Sequence, residues 1–383
     1  MTWKVQDVVG QRIEFVVRAL RGESVQELCQ EFEVSRQTGH LWLRRYREEG
    51  TLTALKDRSH AAKHVWNRTS EEVTRKVLAL RREHGWAGRK IQEVLRRDEN
   101  VRISARTIDR ILDREHCIDN RDRNRPATTR FERERPNQLW QMDFKGQYRL
   151  DDRSECYPFT ILDDHSRYLV GLHALPNTRT VGVEQRLIET FRRYGVPEQM
   201  LMDHGTPWWN VANDPGLTKV AVLMMKQGIR LSYSGIGHPQ TQGKVERLHR
   251  TLKAALRQKG LPRLRAQWQP RLDEFRQIYN HVRPHEALDM QVPAIRYQPS
   301  SRAYVERPAD WAYPAGYELV RLNDQGSLRY QGRPWFVSKA LASEVVGIQS
   351  VDAKLLVCYR TMYVREIHLR SGQTIALMVP VDG

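Results

Sequence analysis

Three acidic side chains, Asp143, Asp203 and Glu246, sit where short local patterns would aim them at one another. Around the first, Trp140, Met142 and Phe144 alternate with Gln141, Asp143 and Lys145, the period of a strand with Asp143 on its polar side. Gln199–Met202 reads as a short buried strand that delivers Asp203 at its end. Glu246 falls in a helical stretch. There Gln242, Glu246, Arg250, Lys253 and Arg257 share about 80° of arc at 3.6 residues per turn. Val245, Leu248, Leu252 and Leu256 form a separate apolar stripe for the core. Two strand-borne aspartates and a helix-borne glutamate suit a pair of Mg²⁺ ions, which prefer oxygen ligands and keep phosphate oxygens as partners. Two such ions activate an attacking oxygen and stabilise a leaving one in phosphoryl transfer. The expected division has Asp143 bridging both ions, with Asp203 and Glu246 each completing one. Spacing alone leaves other readings open, because 46 acidic residues allow many triples. Asp203 could be a strand-end turn residue, and Glu246 an i,i+4 partner of Arg250.

The elements needed to position these acids are legible nearby. Strands are expected over 157–162 and 168–175, joined by the turn Asp163-Asp164-His165-Ser166. Asp163 and Asp164 suit that turn for backbone reasons, so a ligand role is not assigned to them. A helix over 180–194 ends at Gly195. A helix over 217–227, a strand over 229–233, the loop 235–243 and a long helix over 261–280 complete an α/β region. His165, His204 and His238 read as loop residues; His281, Arg283 and His285 as structural or DNA-contacting. Cys156 lacks the partners of a thiol nucleophile.

The first third is helical. Ile13, Val16, Val17 and Leu20 repeat at i, i+3, i+4 and i+7. Ser24, with Glu27 as its capping-box partner, opens a second helix and Ser35 a third. The third helix shows Arg36, Gln37, His40 and Arg44 on its polar face. A short helix, a turn and a helix with polar N-terminal residues is the helix-turn-helix pattern, whose second helix enters the major groove. The pattern recurs over 70–118, with Arg106, Thr107 and Arg110 exposed after the cap Ser104. The expected organisation is a helix-turn-helix unit over 1–50, a basic linker over 51–69, a second unit over 70–118 and a linker over 119–136. A catalytic α/β core with its following helix takes 137–299, a linker 300–316, and a small β-barrel 317–383.

Net charge is +17, from 63 basic and 46 acidic residues. A polyanion is therefore the first partner to consider. No run approaches the length of a membrane span, and the start shows no secretory pattern. Four dispersed cysteines make neither a zinc ribbon nor a disulfide framework. A soluble protein of a reducing compartment is expected, without a membrane.

Four stretches resemble the integrase core of bacterial insertion-sequence DDE transposases. They are Trp140-Gln-Met-Asp143-Phe-Lys, Ile161-Leu-Asp-Asp-His-Ser-Arg-Tyr168, Met202-Asp203-His-Gly205 and His238-Pro-Gln-Thr-Gln-Gly-Lys-Val-Glu246-Arg-Leu-His-Arg-Thr-Leu-Lys253. Tyr279-Asn-His-Val-Arg-Pro-His285-Glu-Ala-Leu288 with Pro293 resembles the segment that follows that core. The resemblance runs from the first helical unit to about Pro299. It implies a multidomain fold: all-α helix-turn-helix region, ribonuclease-H-like α/β integrase core, and small all-β C-terminal domain. It implies Asp143, Asp203 and Glu246 as catalytic and metal-holding acids. Gln242, Arg250 and Lys253 match positions on the DNA end. The cofactor is expected to be Mg²⁺, with Mn²⁺ able to substitute; zinc is not expected, since no His/Cys spacing matches the retroviral zinc module. The 42 residues between Asp203 and Glu246 exceed the usual retroviral-type spacing. The surplus is expected in 207–215. The implied activity is metal-dependent cleavage at terminal inverted repeats to free a 3′-OH, then transfer of that strand into target DNA. The implied assembly is a dimer or larger on double-stranded DNA, in the bacterial cytoplasm at the nucleoid. The alternatives are a non-catalytic DNA-binding regulator and a ribonuclease-H-like nuclease that cuts without joining.

Overall fold

The computed structural model describes residues 7–58, 69–118, 132–210, 216–234 and 243–381. The chain forms two compact units, 1–69 and 70–383. The first holds α1 (Val8–Leu20), α2 (Val25–Glu31) and α3 (Arg36–Glu49), followed by a 3₁₀ turn, Leu52–Leu55. Phe15, Val16, Leu28, Cys29, Trp42, Leu43 and Leu55 form its core. The buried stripe of α1 centres on Phe15 and Val16, leaving Leu20 largely exposed. Leu55, placed by the sequence in a basic linker, is instead fully buried in this core. Ser35 caps α3 through its hydroxyl, which accepts from Thr38 N at 3.2 Å, whereas Ser24 makes no side-chain cap. Gly39 is needed at the crossing of α3 with its neighbours. A Cβ there would meet Cys29 Sγ at 2.6 Å and Phe15 Cζ at 2.7 Å.

The second unit begins with α4 (Glu71–His84), α5 (Gly88–Glu99) and α6 (Ala105–Arg114). Their core is Val77, Trp86, Ile91, Val94, Leu95, Ile108, Ile111 and Leu112. Ile278 and Val282, from far along the chain, pack against the same cluster.

The α/β region follows with β1 (Leu139–Phe144), β2 (Tyr148–Arg149), β3 (Glu155–Asp163) and β4 (Leu169–Leu175). Next come α7 (Thr180–Tyr194), β5 (Gln199–Met202), the two-residue strands β6 (Trp209–Asn210) and β7 (Gly216–Leu217), α8 (Lys219–Lys226) and β8 (Arg230–Tyr233). Then α9 (Gly243–Lys259), α10 (Arg265–Gln277) and, after a π turn at Ile278–Val282, α11 (Pro293–Arg296). The main sheet runs β4-β3-β1-β5-β8, with β2 paired beside β3. Its β4-β3-β1 half is antiparallel and its β1-β5-β8 half parallel. One face packs on α7 and α8 through Trp140, Met142, Phe191 and Met200. The other packs on α9 and α10 through Leu162, Leu169, Leu248, Leu252 and Trp268. Both faces of β1 are thus covered. The polar side assigned to it is not a solvent face, and Gln141 is only 1% exposed.

The C-terminal strands are β9 (Glu318–Arg321), β10 (Ser327–Tyr330), β11 (Arg333–Phe336), β12 (Val345–Val351), β13 (Lys354–Tyr359), β14 (Met362–His368) and β15 (Thr374–Pro380). Among the described residues they do not close into the expected barrel. Five form an antiparallel sheet in the order β15-β14-β13-β12-β9, and β10-β11 stand beside it as a hairpin. Nor are the flanking linkers loose where described. Arg302 donates to the carbonyls of Pro197, Gln227 and Gly228, and Ser300 to that of Val196, lashing 300–302 onto the α/β region. Arg133, at the end of the stretch 119–136, bonds Asp164 through its backbone and Gln199 through its side chain. Residues 59–68 and 119–131 lie outside the described residues, as do His238 and part of the expected insertion 207–215. Among the described residues no helix is long and apolar enough to cross a membrane.

Candidate active site

Strand register brings the two aspartates side by side. In the parallel pair β1–β5, Gln141 lies opposite Leu201. Asp143 stands two residues further along β1, and Asp203 follows directly on the end of β5 at Met202, close enough for its charge to act on Asp143. Glu246 sits in the first turn of α9, on the face opposite the buried stripe of Val245, Leu248, Leu252 and Leu256. That stripe is why α9 lies against the sheet in this orientation, since it removes four large apolar side chains from water.

The charges of Asp203 and Glu246 both reach Asp143. Burial, then these two carboxylates, push the Asp143 carboxyl up to about 7. An opposing influence is the bond that Phe144 N donates to Asp143 Oδ1 at 2.7 Å. Like charges held together at a half-buried position are what a divalent cation would relieve. The oxygen-only donor set also suits a hard ion. Among the described residues, however, no three His, Cys, Asp or Glu groups are drawn together tightly enough to hold a metal. Asp143 Oδ1 accepts from Phe144 N at 2.7 Å and Asp203 Oδ1 from Gly205 N at 2.9 Å, and each carboxylate keeps its second oxygen for another partner.

His249, which the sequence reading passed over, faces the same acid. Its Nδ1 is 3.7 Å from Asp143 Oδ2, and its Nε2 is 2.9 Å from Thr160 Oγ1. Thr160 spends its proton on the Asp143 carbonyl at 2.9 Å, so Nε2–H donates to Thr160 and Nδ1 presents a lone pair. Burial, then the Lys145 charge, hold this imidazole neutral, down to about 3. The signal available in sequence was its place three residues after Glu246.

Cations line the approach. Arg250, Lys253 and Arg257 are exposed on α9, and Lys145 is half-buried one residue past β1. Burial, then Lys253, lower the Lys145 ammonium from its usual range, which places the two lysines within each other's field. None of these four has an acidic partner at ion-pair distance among the described residues. Gln242 lies outside the described residues. Arg36, Gln37, His40 and Arg44 are exposed on α3 of the first unit, with Arg44 3.9 Å from Glu48. Arg106 and Arg110 are exposed on α6. These six lie on α3 and α6, the last helices of their respective three-helix units.

His204, His165 and His285 have structural partners. His204 Nδ1 is 2.9 Å from the Ser234 carbonyl, and His165 Nδ1 2.8 Å from that of Arg133. His285 is buried under the Tyr279 ring and carbonyl. Cys156 is buried and its thiol is pushed up to about 12, so it is inert. Asp163 and Asp164 are fully buried, and Asp163 takes the turn's backbone as expected, accepting from Ser166 N at 2.8 Å.

Residues 133–239 and 227–293 match the integrase core domain family, and together these stretches contain all three acids. Residues 11–63 match a helix-turn-helix domain and 38–112 a homeodomain-like domain. Among solved structures, the HTLV-2 integrase catalytic core domain in complex with magnesium, in its trimeric form, is 14% identical. That alignment covers 43% of this chain and 99% of the other, with a TM-score of 0.34. A simian T-cell lymphotropic virus intasome is 13% identical over 80% of this chain and 96% of its own, with a TM-score of 0.39. The chain contains an integrase core domain of mixed α/β architecture behind tandem helix-turn-helix domains.

Proposed function

We propose that this chain, which carries the helix-turn-helix and integrase core domains of insertion-sequence DDE transposases, is a DNA transposase. In this reading α3 and α6 read the terminal inverted repeats, with Arg36, Gln37, His40, Arg44, Arg106 and Arg110 toward bases and phosphates. The observation that supports it is that the charges of Asp203 and Glu246 both act on the raised Asp143 carboxyl, near cations that have no acidic partner among the described residues. Asp143, Asp203 and Glu246 would hold Mg²⁺, which supplies Lewis-acid activation and charge neutralisation in phosphodiester cleavage and strand transfer. Arg250, Lys253 and Lys145 bind the backbone phosphates of the DNA end, and Gln242 is assigned to the same end. His249, neutral and tied to Thr160, braces the backbone carbonyl of Asp143 through that hydroxyl. The chemistry is hydrolysis at the element end to free a 3′-OH, followed by attack of that hydroxyl on a target phosphodiester, with no covalent protein intermediate. Two ends must be handled together, so a dimer or larger assembly on DNA belongs to the reading. So does a bacterial cytoplasmic location at the nucleoid.

The test is a Mg²⁺-dependent reaction of the full chain with labelled DNA from the flanks of its own gene, products resolved by length. Joined strands that disappear in Asp143→Asn are the expected result. Cleavage without joining would replace the reading with that of a nuclease, and binding without chemistry with that of a regulator.

A further inference from the structure

We infer that Asp164 is a positioning residue that locks the strand bearing Asp143 to the helix bearing Glu246 through Gln141 and Lys244. The inference rests on the proposed role of those two acids. Asp164 is fully buried, and its carboxylate is shared among three segments. Oδ1 accepts from Gln141 Nε2 at 2.8 Å and from Lys244 Nζ at 2.6 Å. Oδ2 accepts from the Arg133 backbone N at 2.9 Å. The backbone closes the arrangement, for Asp164 N donates to the Leu139 carbonyl at 2.9 Å and Lys244 Nζ donates to the Asp164 carbonyl at 3.1 Å. Gln141 is two residues before Asp143 on the same strand. Lys244 is two residues before Glu246, in the same first helical turn.

Helix stability does not account for Lys244. It is the second residue of α9, where the helix dipole disfavours a cation. Burying an ion pair is likewise weak support for stability, since desolvation offsets the attraction, but it fixes geometry. What needs fixing is the first turn. The apolar stripe anchors α9 along its length, whereas Glu246 is exposed and has no hydrogen bond or ion pair among the described residues. Buried Val245 and the His249–Thr160 link hold the same turn against the sheet, and the Lys244–Asp164 contact adds the polar tie that fixes its N-terminal end relative to Gln141 and Asp143. Groups that hold metal-binding side chains in place commonly change affinity or activity by about 10–100-fold when removed.

The experiment compares Lys244→Met, Lys244→Arg and the double variant Asp164→Asn/Lys244→Met in the full chain. Lys244→Met leaves a buried carboxylate short of its cation and can unfold the chain; the double variant removes both charges and keeps the test usable. Two readouts are taken: amide hydrogen exchange over 243–248, and the DNA cleavage rate at matched DNA binding. The expected result is faster exchange in that turn and a roughly 10–100-fold slower cut in the double variant. Its melting temperature should stay near wild type, and Lys244→Arg should recover most of both readouts. A double variant with wild-type exchange and cutting would overturn the inference, leaving the pair a stability device. If exchange responds but the unsubstituted chain cuts no DNA, the positioning stands and the transposase reading fails.

Discussion

The two N-terminal helical units are written in one local grammar and mounted differently. Ser35 and Ser104 cap α3 and α6 in the same way, accepting from Thr38 N at 3.2 Å and from Thr107 N at 3.1 Å. Each cap is followed at once by an exposed arginine, Arg36 or Arg106. Each unit also needs a glycine where helices cross. At Gly88 a Cβ would lie 2.7 Å from the Ala105 carbonyl, as at Gly39 it would strike Phe15. The first unit is compact by itself. The second is bolted to the integrase core. Lys90 pairs with Glu286 at 2.6 Å, Arg97 donates to the Val282 carbonyl at 3.3 Å, and Gln258 donates to the Arg82 carbonyl at 3.0 Å. The same helical pattern thus occurs once as a compact unit of its own and once packed against the integrase core.

Four expected outcomes break or sharpen that contrast, and the first separates reading from cutting altogether. Glu246→Gln should lower cleavage by at least about 10³-fold while DNA-end affinity stays within a factor of about two, measured by single-turnover cutting and by gel shift. Lost binding would make Glu246 structural. The second tests the bolt. Lys90→Glu sets two carboxylates against each other at the docking surface and should spread the cut over neighbouring phosphodiesters with a rate loss of about 10-fold. Adding Glu286→Lys should restore a single cut site. An unmoved, full-rate cut in Lys90→Glu would remove the docking from end alignment. The third concerns the separate reader. Arg36→Ala with His40→Ala should cost about 1–3 kcal/mol of discrimination between the element end and random DNA, leaving the cut position unchanged. The smallest effect is expected at the phosphate contacts. Lys253→Ala should weaken binding to all sequences alike and reduce the salt slope by about one. A sequence-dependent loss would reassign Lys253 to base contact.

Much of this arrangement is legible in the chain itself. The helical stripe of Val245, Leu248, Leu252 and Leu256 and the end of β5 at Met202 fall where periodicity puts them, because each depends on neighbours a few residues away. What escapes local reading depends on partners far along the chain. Gln141 and Asp164 look like solvent-side polar residues until α9 covers them and supplies Lys244 from 80 residues on. His249 looks like one more polar residue in a basic run until Thr160 of β3 and Asp143 of β1 arrive beside it. The strand Thr374–Pro380 escapes for a different reason. Its Ile-Ala-Leu-Met-Val run lacks the alternation that marks a half-buried strand.

The seating of the C-terminal sheet has a consequence for inheritance. Leu341, Val346, Val357 and Met362 share one apolar cluster with Leu217, Val220 and Met224 of the α/β region. Lys226 and Glu344 pair across the same contact at 2.5 Å. A chain truncated near residue 300 would therefore leave the integrase core with that apolar face bared to water. Such a product should aggregate and be degraded, so a truncated allele would be inherited as a loss of the protein, with no partial product left to interfere.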